Sequence, residues 1–167
     1  MLLLGVLAGC DDSPPPAAVE APAEVTTPAP PASITPSLPS PPEPVEVTGL
    51  SLRTVGADMV FEKTTLTAPA GPIRLKYTSA STVPAMLHNV VILTSGAEDT
   101  VGIAGIDAGV DRDHVPAHEA VLGASPLLAP EESAELLVTL QAGTYAYACT
   151  SPGHYITERG VLTVTEK

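Results

Sequence analysis

The sequence predicts an all-β domain with the architecture of a β-sandwich, and two observations support that class. The hydrophobic runs are short, several alternate apolar with polar residues, and turn-forming residues separate them. The 167 residues include no Trp and only one Phe, so Val, Leu, Ile and Ala must supply the core, which favours small β structure. The length suits one domain of ordinary size.

The predicted strands all fall within residues 48–167, which we take as the folded domain. Each is short and apolar or alternating, and turn signals separate them: TGLSLRTV (48–55), TTLTAPAGPIRLKYTSA (64–80, two strands around a Pro-Gly turn), MLHNVVILTS (86–95), ESAELLVTL (132–140), YAYACT (145–150) and GVLTVTEK (160–167). The stretch 96–126 has less pattern. Within it, residues 107–121 are expected to form a short helix or an irregular flap.

The charge balance excludes one large class of partners. The formal net charge is −12 and the isoelectric point is near 4.4. Nucleic-acid binding needs a basic footprint, so we expect no nucleic-acid partner. The acidic balance suits a soluble, self-repelling protein or one that docks on a basic partner.

Residues 1–10, MLLLGVLAGC, resemble a bacterial lipoprotein signal with a Leu-Ala-Gly-Cys lipobox, in which Cys10 would be the lipid attachment point. The apolar run is shorter than the roughly 20 residues that span a bilayer. No Lys or Arg precedes it, so the true start codon could lie upstream of Met1. The alternative is an incidental cysteine.

Residues 11–47 consist mainly of Pro, Ala, Ser, Thr and Glu. Such a composition cannot bury enough apolar surface to fold, so we predict a disordered Pro/Ala-rich linker. Proline-rich chains extend by about 3.1 Å per residue, so this linker could reach on the order of 100 Å. It would tether the folded domain at a distance from a membrane.

Three residues of the domain indicate a metal site. The two cysteines of the chain do not make a disulfide scaffold, and Cys149 lies five residues before His154. His88 lies in an apolar predicted strand, where a polar imidazole is unusual unless it binds a partner or a metal. Together they give the His₂Cys set of an electron-transfer copper site. A buried structural thiol, or a Cys–His nucleophile and base, are the alternatives.

The motifs around these residues resemble the cupredoxins, in particular the azurin/auracyanin branch of small blue copper proteins. CTSPGHYITERGVLT (149–163) is similar to the family signature Cys-Thr-Phe-Pro-Gly-His-x-x-x-Met-Lys-Gly-x-Leu-Thr, and LHNVV (87–91) to its Gly-His-Asn segment. AGVDRDHVPAHEAVLGASPLLAP (108–130) resembles the flap region of azurins. The resemblance implies a Greek-key β-sandwich of about eight strands, with the metal near one end.

The resemblance also assigns roles. His88, Cys149 and His154 match the three strong copper ligands, with one copper ion per domain. Leu87 stands where the family has a glycine whose backbone carbonyl faces the metal. A carbonyl remains, but Leu tolerates fewer backbone conformations than Gly.

Three further residues match positions around the ligands. Asn89 corresponds to the asparagine that joins the two ligand loops and hydrogen-bonds near the thiolate. Thr150 follows the cysteine as in the family. Ser151 replaces a phenylalanine, and its backbone N–H could still donate to the sulfur.

Glu158 occupies the position of the axial methionine, four residues after His154. A carboxylate is harder and anionic, so it should stabilise Cu(II), lower the potential and shift the spectrum from blue toward green or red. It would also suit Zn(II). The alternative is that Glu158 turns to solvent or pairs with Arg159.

Other candidate ligands are expected to be structural. His114 and His118 are four residues apart, a helical spacing that could bind a metal, but they fit exposed flap residues better. Met86 could act as a soft axial ligand, although packing in the core is the main expectation.

The sequence therefore predicts a membrane-tethered, extracytoplasmic copper protein that exchanges single electrons with redox partner proteins and is not an enzyme. The alternative is a cupredoxin that is not a shuttle. Such a protein would bind or deliver copper, or hold an open red-copper site for a small molecule.

Overall fold

The computed structural model describes residues 46–167. The predicted signal-like segment 1–10, with Cys10, and residues 11–45 of the predicted linker lie outside the described residues. Within residues 46–167, no helix is long and apolar enough to cross a membrane.

The described chain forms two β-sheets, which confirms the predicted all-β sandwich, with nine strands where about eight were expected. The first sheet has the order β2-β1-β4-β7 and the second the order β3-β9-β8-β5-β6. The strands are β1 (Thr48–Val55), β2 (Asp58–Phe61), β3 (Thr65–Pro69), β4 (Gly71–Thr78), β5 (Val91–Thr94), β6 (Val121–Ala124), β7 (Ser133–Leu140), β8 (Gly143–Ala148) and β9 (Arg159–Thr165). The pairs β1–β4 and β3–β9 are parallel and the others antiparallel.

The two strands predicted around a Pro-Gly turn exist, but they do not pair with each other. Strand β3 pairs with β9 in the second sheet, whereas β4 lies between β1 and β7 in the first. The chain crosses between the sheets at Ala70, whose N–H donates to the carbonyl of Thr165 at 2.8 Å. Gly71 follows with φ 129°, a conformation that suits glycine.

Alternation along the strands places the core between the sheets. In β4, Ile73, Leu75 and Tyr77 are buried while Arg74 and Lys76 are exposed. The same period buries alternate residues of β1, β7 and β9. Each fully buried aliphatic side chain stabilises the fold by about 1.5–3 kcal/mol relative to exposure.

The helix lies earlier in the chain than expected. Helix α1 runs from Glu98 to Ala108, and a single 3₁₀ turn covers Val110–Arg112. Residues 113–120 contain no helix, so the expected helix or flap at 107–121 is an irregular flap that begins where α1 ends. Helix α1 packs closely on the C-terminal loop, because a Cβ atom at Gly102 would clash with the Tyr155 ring.

His88 also lies outside the strand in which it was predicted. Strand β5 begins only at Val91, and His88 forms an isolated antiparallel bridge with Leu128. Its N–H donates to the Leu128 carbonyl at 3.0 Å, and the Leu128 N–H donates back at 2.7 Å. The histidine is therefore held by backbone bonds in a loop at the end of the sandwich.

Candidate metal centre

The fold brings the candidate ligands together at one end of the second sheet. His88 precedes β5, Cys149 directly follows β8, and Glu158 directly precedes β9. Strand β8 pairs antiparallel with both neighbours, so the end of β8 lies beside the start of β5 and the start of β9. His154 begins a 3₁₀ turn, His154–Ile156, in the loop between β8 and β9.

Four side chains converge there. One potential ligand atom each from His88, Cys149, His154 and Glu158 lies within 4.8 Å of the others. Glu158 Oε2 is 2.8 Å from His88 Nδ1 and 3.0 Å from His154 Nδ1. Cys149 Sγ is 3.5 Å from His154 Nδ1. All four residues are buried, and among them His154 has the largest exposure, at 7%.

Glu158 points into this cluster and away from solvent. Its exposure is 0%, so the alternative in which it turns to water is wrong. The alternative pairing with Arg159 is also wrong, because that guanidinium bonds Asp99 of helix α1 at 2.9 Å. Two backbone bonds hold the main chain of Glu158 in place: the Cys149 N–H donates to the Glu158 carbonyl at 2.9 Å, and the Glu158 N–H donates to the His154 carbonyl at 2.8 Å.

The electrostatics of the cluster favour a cation. Burial, and then the charge of Glu158, raise the pKa of the Cys149 thiol, although the backbone N–H groups of Asn89 and Ser151 act in the opposite direction. Burial acts to raise the pKa of Glu158 as well, but hydrogen bonds from His154 and His88 outweigh it and hold that pKa below its ordinary value. A thiol and a carboxylate buried side by side repel each other when both are ionised.

These residues fit a copper ion. Two imidazole nitrogens and a sulfur form the trigonal donor set of electron-transfer copper sites, and the fourth group is a carboxylate. A bound cation would allow both anionic groups to be ionised in the interior, where they otherwise oppose each other.

Asn89 joins the His88 segment to the Cys149 loop through hydrogen bonds to Thr150. Its Oδ1 accepts the Thr150 N–H at 2.8 Å, and its Nδ2 donates to Thr150 Oγ1 at 2.9 Å. The same Nδ2 donates to the Asp113 carbonyl at 2.6 Å, a contact to the flap that the sequence did not suggest. One buried side chain therefore connects the His88 segment, the Cys149 loop and the flap.

Ser151 makes a contact that the sequence reasoning missed. Its Oγ donates to the carbonyl of Leu87 at 2.8 Å. The sequence had suggested a role only for the backbone N–H of Ser151, as a donor to the sulfur, and for the Leu87 carbonyl only as a group facing the metal. No sequence signal links the two residues, because they are 64 positions apart.

The remaining candidates lie outside the cluster of four. His114 and His118 are half-buried rather than exposed, and neither lies in a helix. Each ring uses its Nδ1 locally: His114 bonds the Gly105 carbonyl at 3.0 Å, and His118 accepts the Ala120 N–H at 3.1 Å. Met86 is half-buried and lines a surface depression, so its expected packing in the core is wrong.

Comparison with known proteins agrees with the fold and identifies its family. The family model of copper-binding proteins, plastocyanin/azurin family, matches residues 49–165. The chain therefore belongs to this cupredoxin family, and copper is its cofactor, as the sequence predicted.

Individual relatives are auracyanins and azurins. Auracyanin-A of Chloroflexus aurantiacus is 35% identical over 122 residues, which cover 69% of this chain and 73% of that protein. Azurin of Alcaligenes faecalis is 30% identical over 95 residues, covering 54% of this chain and 74% of that protein. The crystal structure of reduced auracyanin from Roseiflexus castenholzii matches with a TM-score of 0.65 and 32% identity, over 70% of this chain and 96% of that one.

The bonds of Asn89 predict the effect of removing its side chain. Asn89→Ala would leave the buried Thr150 N–H without its acceptor, which costs about 1–3 kcal/mol of unfolding free energy, and further bonds are lost as well. Urea unfolding and hydrogen exchange of the Thr150 amide measure the loss. Gln141→Ala, which removes an exposed carboxamide, should change neither; equal effects of the two substitutions would contradict the role given to Asn89.

Proposed function

We propose that this protein carries single electrons through one copper ion held by His88, Cys149 and His154, with Glu158 at the axial position. The observation that carries the proposal is the convergence of these four buried side chains within 4.8 Å. Copper bound there supplies the chemistry, a one-electron change between Cu(I) and Cu(II).

The protein's part is to keep the ligands in place while the charge changes. The ends of three adjacent strands position His88, Cys149 and Glu158, and backbone bonds hold the loop between them. Interiors are close-packed, so the side chains have little room to rearrange. A site that suits both oxidation states changes its geometry little when an electron moves.

His154 offers the route for the electron to the surface. It is the one member of the four that borders the surface depression, a cavity of about 360 Å³ that Met86, Leu87, Leu127 and Pro152 also line. These neighbours are largely apolar, so a redox partner protein could approach the imidazole closely there. The donor and acceptor would be such partner proteins.

A cupredoxin that is not a shuttle is the second candidate, and burial speaks against an open centre. His88, Cys149 and Glu158 are each 0% exposed, so a small molecule would have to displace protein groups to reach them. The burial supports a carrier over an enzyme or a centre that binds small molecules.

The proposal extends to the location of the protein. The lipobox-like segment ending at Cys10, followed by the proline-rich residues 11–47, supports an extracytoplasmic protein anchored to the cell membrane through a lipid. The linker would give the copper domain reach to membrane-bound partners.

Metal analysis and voltammetry test the carrier function. The protein expressed without metal should take up one Cu(II) per chain and show reversible one-electron voltammetry with fast self-exchange. Cys149→Ser should lose the sulfur-to-copper absorption. No copper uptake would contradict the copper centre, and copper with slow, irreversible electron exchange would favour the second candidate.

The axial role of Glu158 is tested by substitution. Glu158→Met removes an anionic ligand that favours Cu(II), so the reduction potential should rise by about 60 mV or more, a tenfold change for a one-electron couple. The absorption should also become bluer, and the copper hyperfine splitting in the EPR spectrum narrower.

The matched control is Glu119→Gln, which neutralises an exposed carboxylate in the flap and should leave spectrum and potential nearly unchanged. If Glu158→Met behaves like this control, Glu158 does not act on the metal.

Lipidation is tested at Cys10. The full chain expressed in a bacterium should incorporate labelled fatty acid and sediment with membranes, and Cys10→Ser should abolish both. A Cys10→Ser protein that remains in the membrane fraction would refute the anchor.

A further inference from the structure

His88 lacks the outer support that histidine ligands usually have. Metal-binding histidines generally donate their second ring nitrogen to a carbonyl or carboxylate, which fixes the ring orientation. The Nε2 of His88 is buried and has no hydrogen-bond partner within the described part of the chain. The ring position therefore depends on how its backbone segment is held.

That segment is tied to the Cys149 loop on both sides of His88. On one side, Asn89 Oδ1 accepts the Thr150 N–H. On the other, the Leu87 carbonyl accepts the Ser151 hydroxyl at 2.8 Å. The residues directly before and after the histidine thus bond the two residues that directly follow the cysteine.

The Ser151 side chain, which donates the second of these bonds, is buried. Its exposure is 4%, so its hydroxyl is shielded from water, whereas the acceptor residue Leu87 is half-buried at the edge of the surface depression. A hydroxyl has one proton to donate, and the nearby Cys149 sulfur is a second possible acceptor. The bond at 2.8 Å to Leu87 uses that proton.

We propose that Ser151 is a positioning residue of the copper centre, whose hydroxyl holds the Leu87 carbonyl and thereby fixes His88 relative to Cys149. This rests on the proposed copper centre, but the bond itself belongs to the protein without metal. The His88 ring has no hydrogen bond at Nε2 that would hold it, and the bond from Ser151 holds its backbone segment instead.

The first measurement uses the metal-free protein. With Leu87 labelled with ¹³C at the carbonyl, Ser151→Ala should shift the carbonyl resonance, and Ser151→Thr, which keeps a hydroxyl, should restore it. An unchanged resonance in Ser151→Ala would overturn the bond whether or not the protein binds copper. The proposed function fails separately, if no copper is taken up.

The second measurement uses the protein loaded with Cu(II). Ser151→Ala should speed copper loss to a chelator by roughly five-fold, the size of one buried hydrogen bond, and alter the EPR spectrum. Ser151→Thr should return both toward the parent protein.

The matched control is Ser125→Ala. Ser125 is also buried, at 3% exposure, and its hydroxyl donates to the Pro126 carbonyl at 2.9 Å and accepts the Val90 N–H at 3.0 Å, so its hydrogen bonds go to residues other than the four converging ones. It should lower stability without changing copper loss or the EPR spectrum.

Two results would overturn the positioning role. One is equal copper loss in Ser151→Ala and Ser125→Ala. The other is a changed EPR spectrum with an unmoved Leu87 resonance, which would mean that the hydroxyl serves the sulfur instead.

Discussion

The centre depends on a carboxylate held in the interior next to a thiol. Removing an ionised group from water costs several kcal/mol unless partners compensate. Glu158 finds such partners in the two imidazoles at 2.8 and 3.0 Å, and it adds to the effect of burial in raising the pKa of Cys149. A positive charge between the Glu158 carboxylate and the Cys149 sulfur would therefore stabilise the cluster. A copper ion meets that requirement with the same atoms that would bind it.

Strand order explains why the four residues meet although 70 positions separate His88 from Glu158. Because β8 lies between β5 and β9 and is antiparallel to both, one end of the sheet collects the chain before β5, after β8 and before β9. Any residue at those three points is brought close to the others. The sandwich thus fixes the places, and the residue types placed there determine the chemistry.

Much of this could be predicted from sequence because it is local or follows a known motif. Cys149, His154 and Glu158 lie within one short stretch of the sequence, and His88 stood out as the distant partner because a histidine is unusual in an apolar segment; the resemblance then agreed with it. Helix α1 at 98–108 was not predicted, because that stretch carries little pattern; the helix packs against the loop after β8, where Gly102 lies against the Tyr155 ring across 53 positions. The bond between Ser151 and Leu87 escaped prediction because it depends on two loops meeting in space.

The pairing of Arg159 with Asp99 bears on how the neighbouring residue, Glu158, is held. That ion pair is exposed, and such pairs contribute about 0–1 kcal/mol, so it is not what keeps Glu158 inside. The imidazoles of His88 and His154 hold its carboxylate, and its backbone is held by two bonds, from the Cys149 N–H to the Glu158 carbonyl and from the Glu158 N–H to the His154 carbonyl. Neither bond uses the side chain of residue 158. The backbone can therefore present a thioether or a carboxylate at position 158 while His88, Cys149 and His154 stay in place.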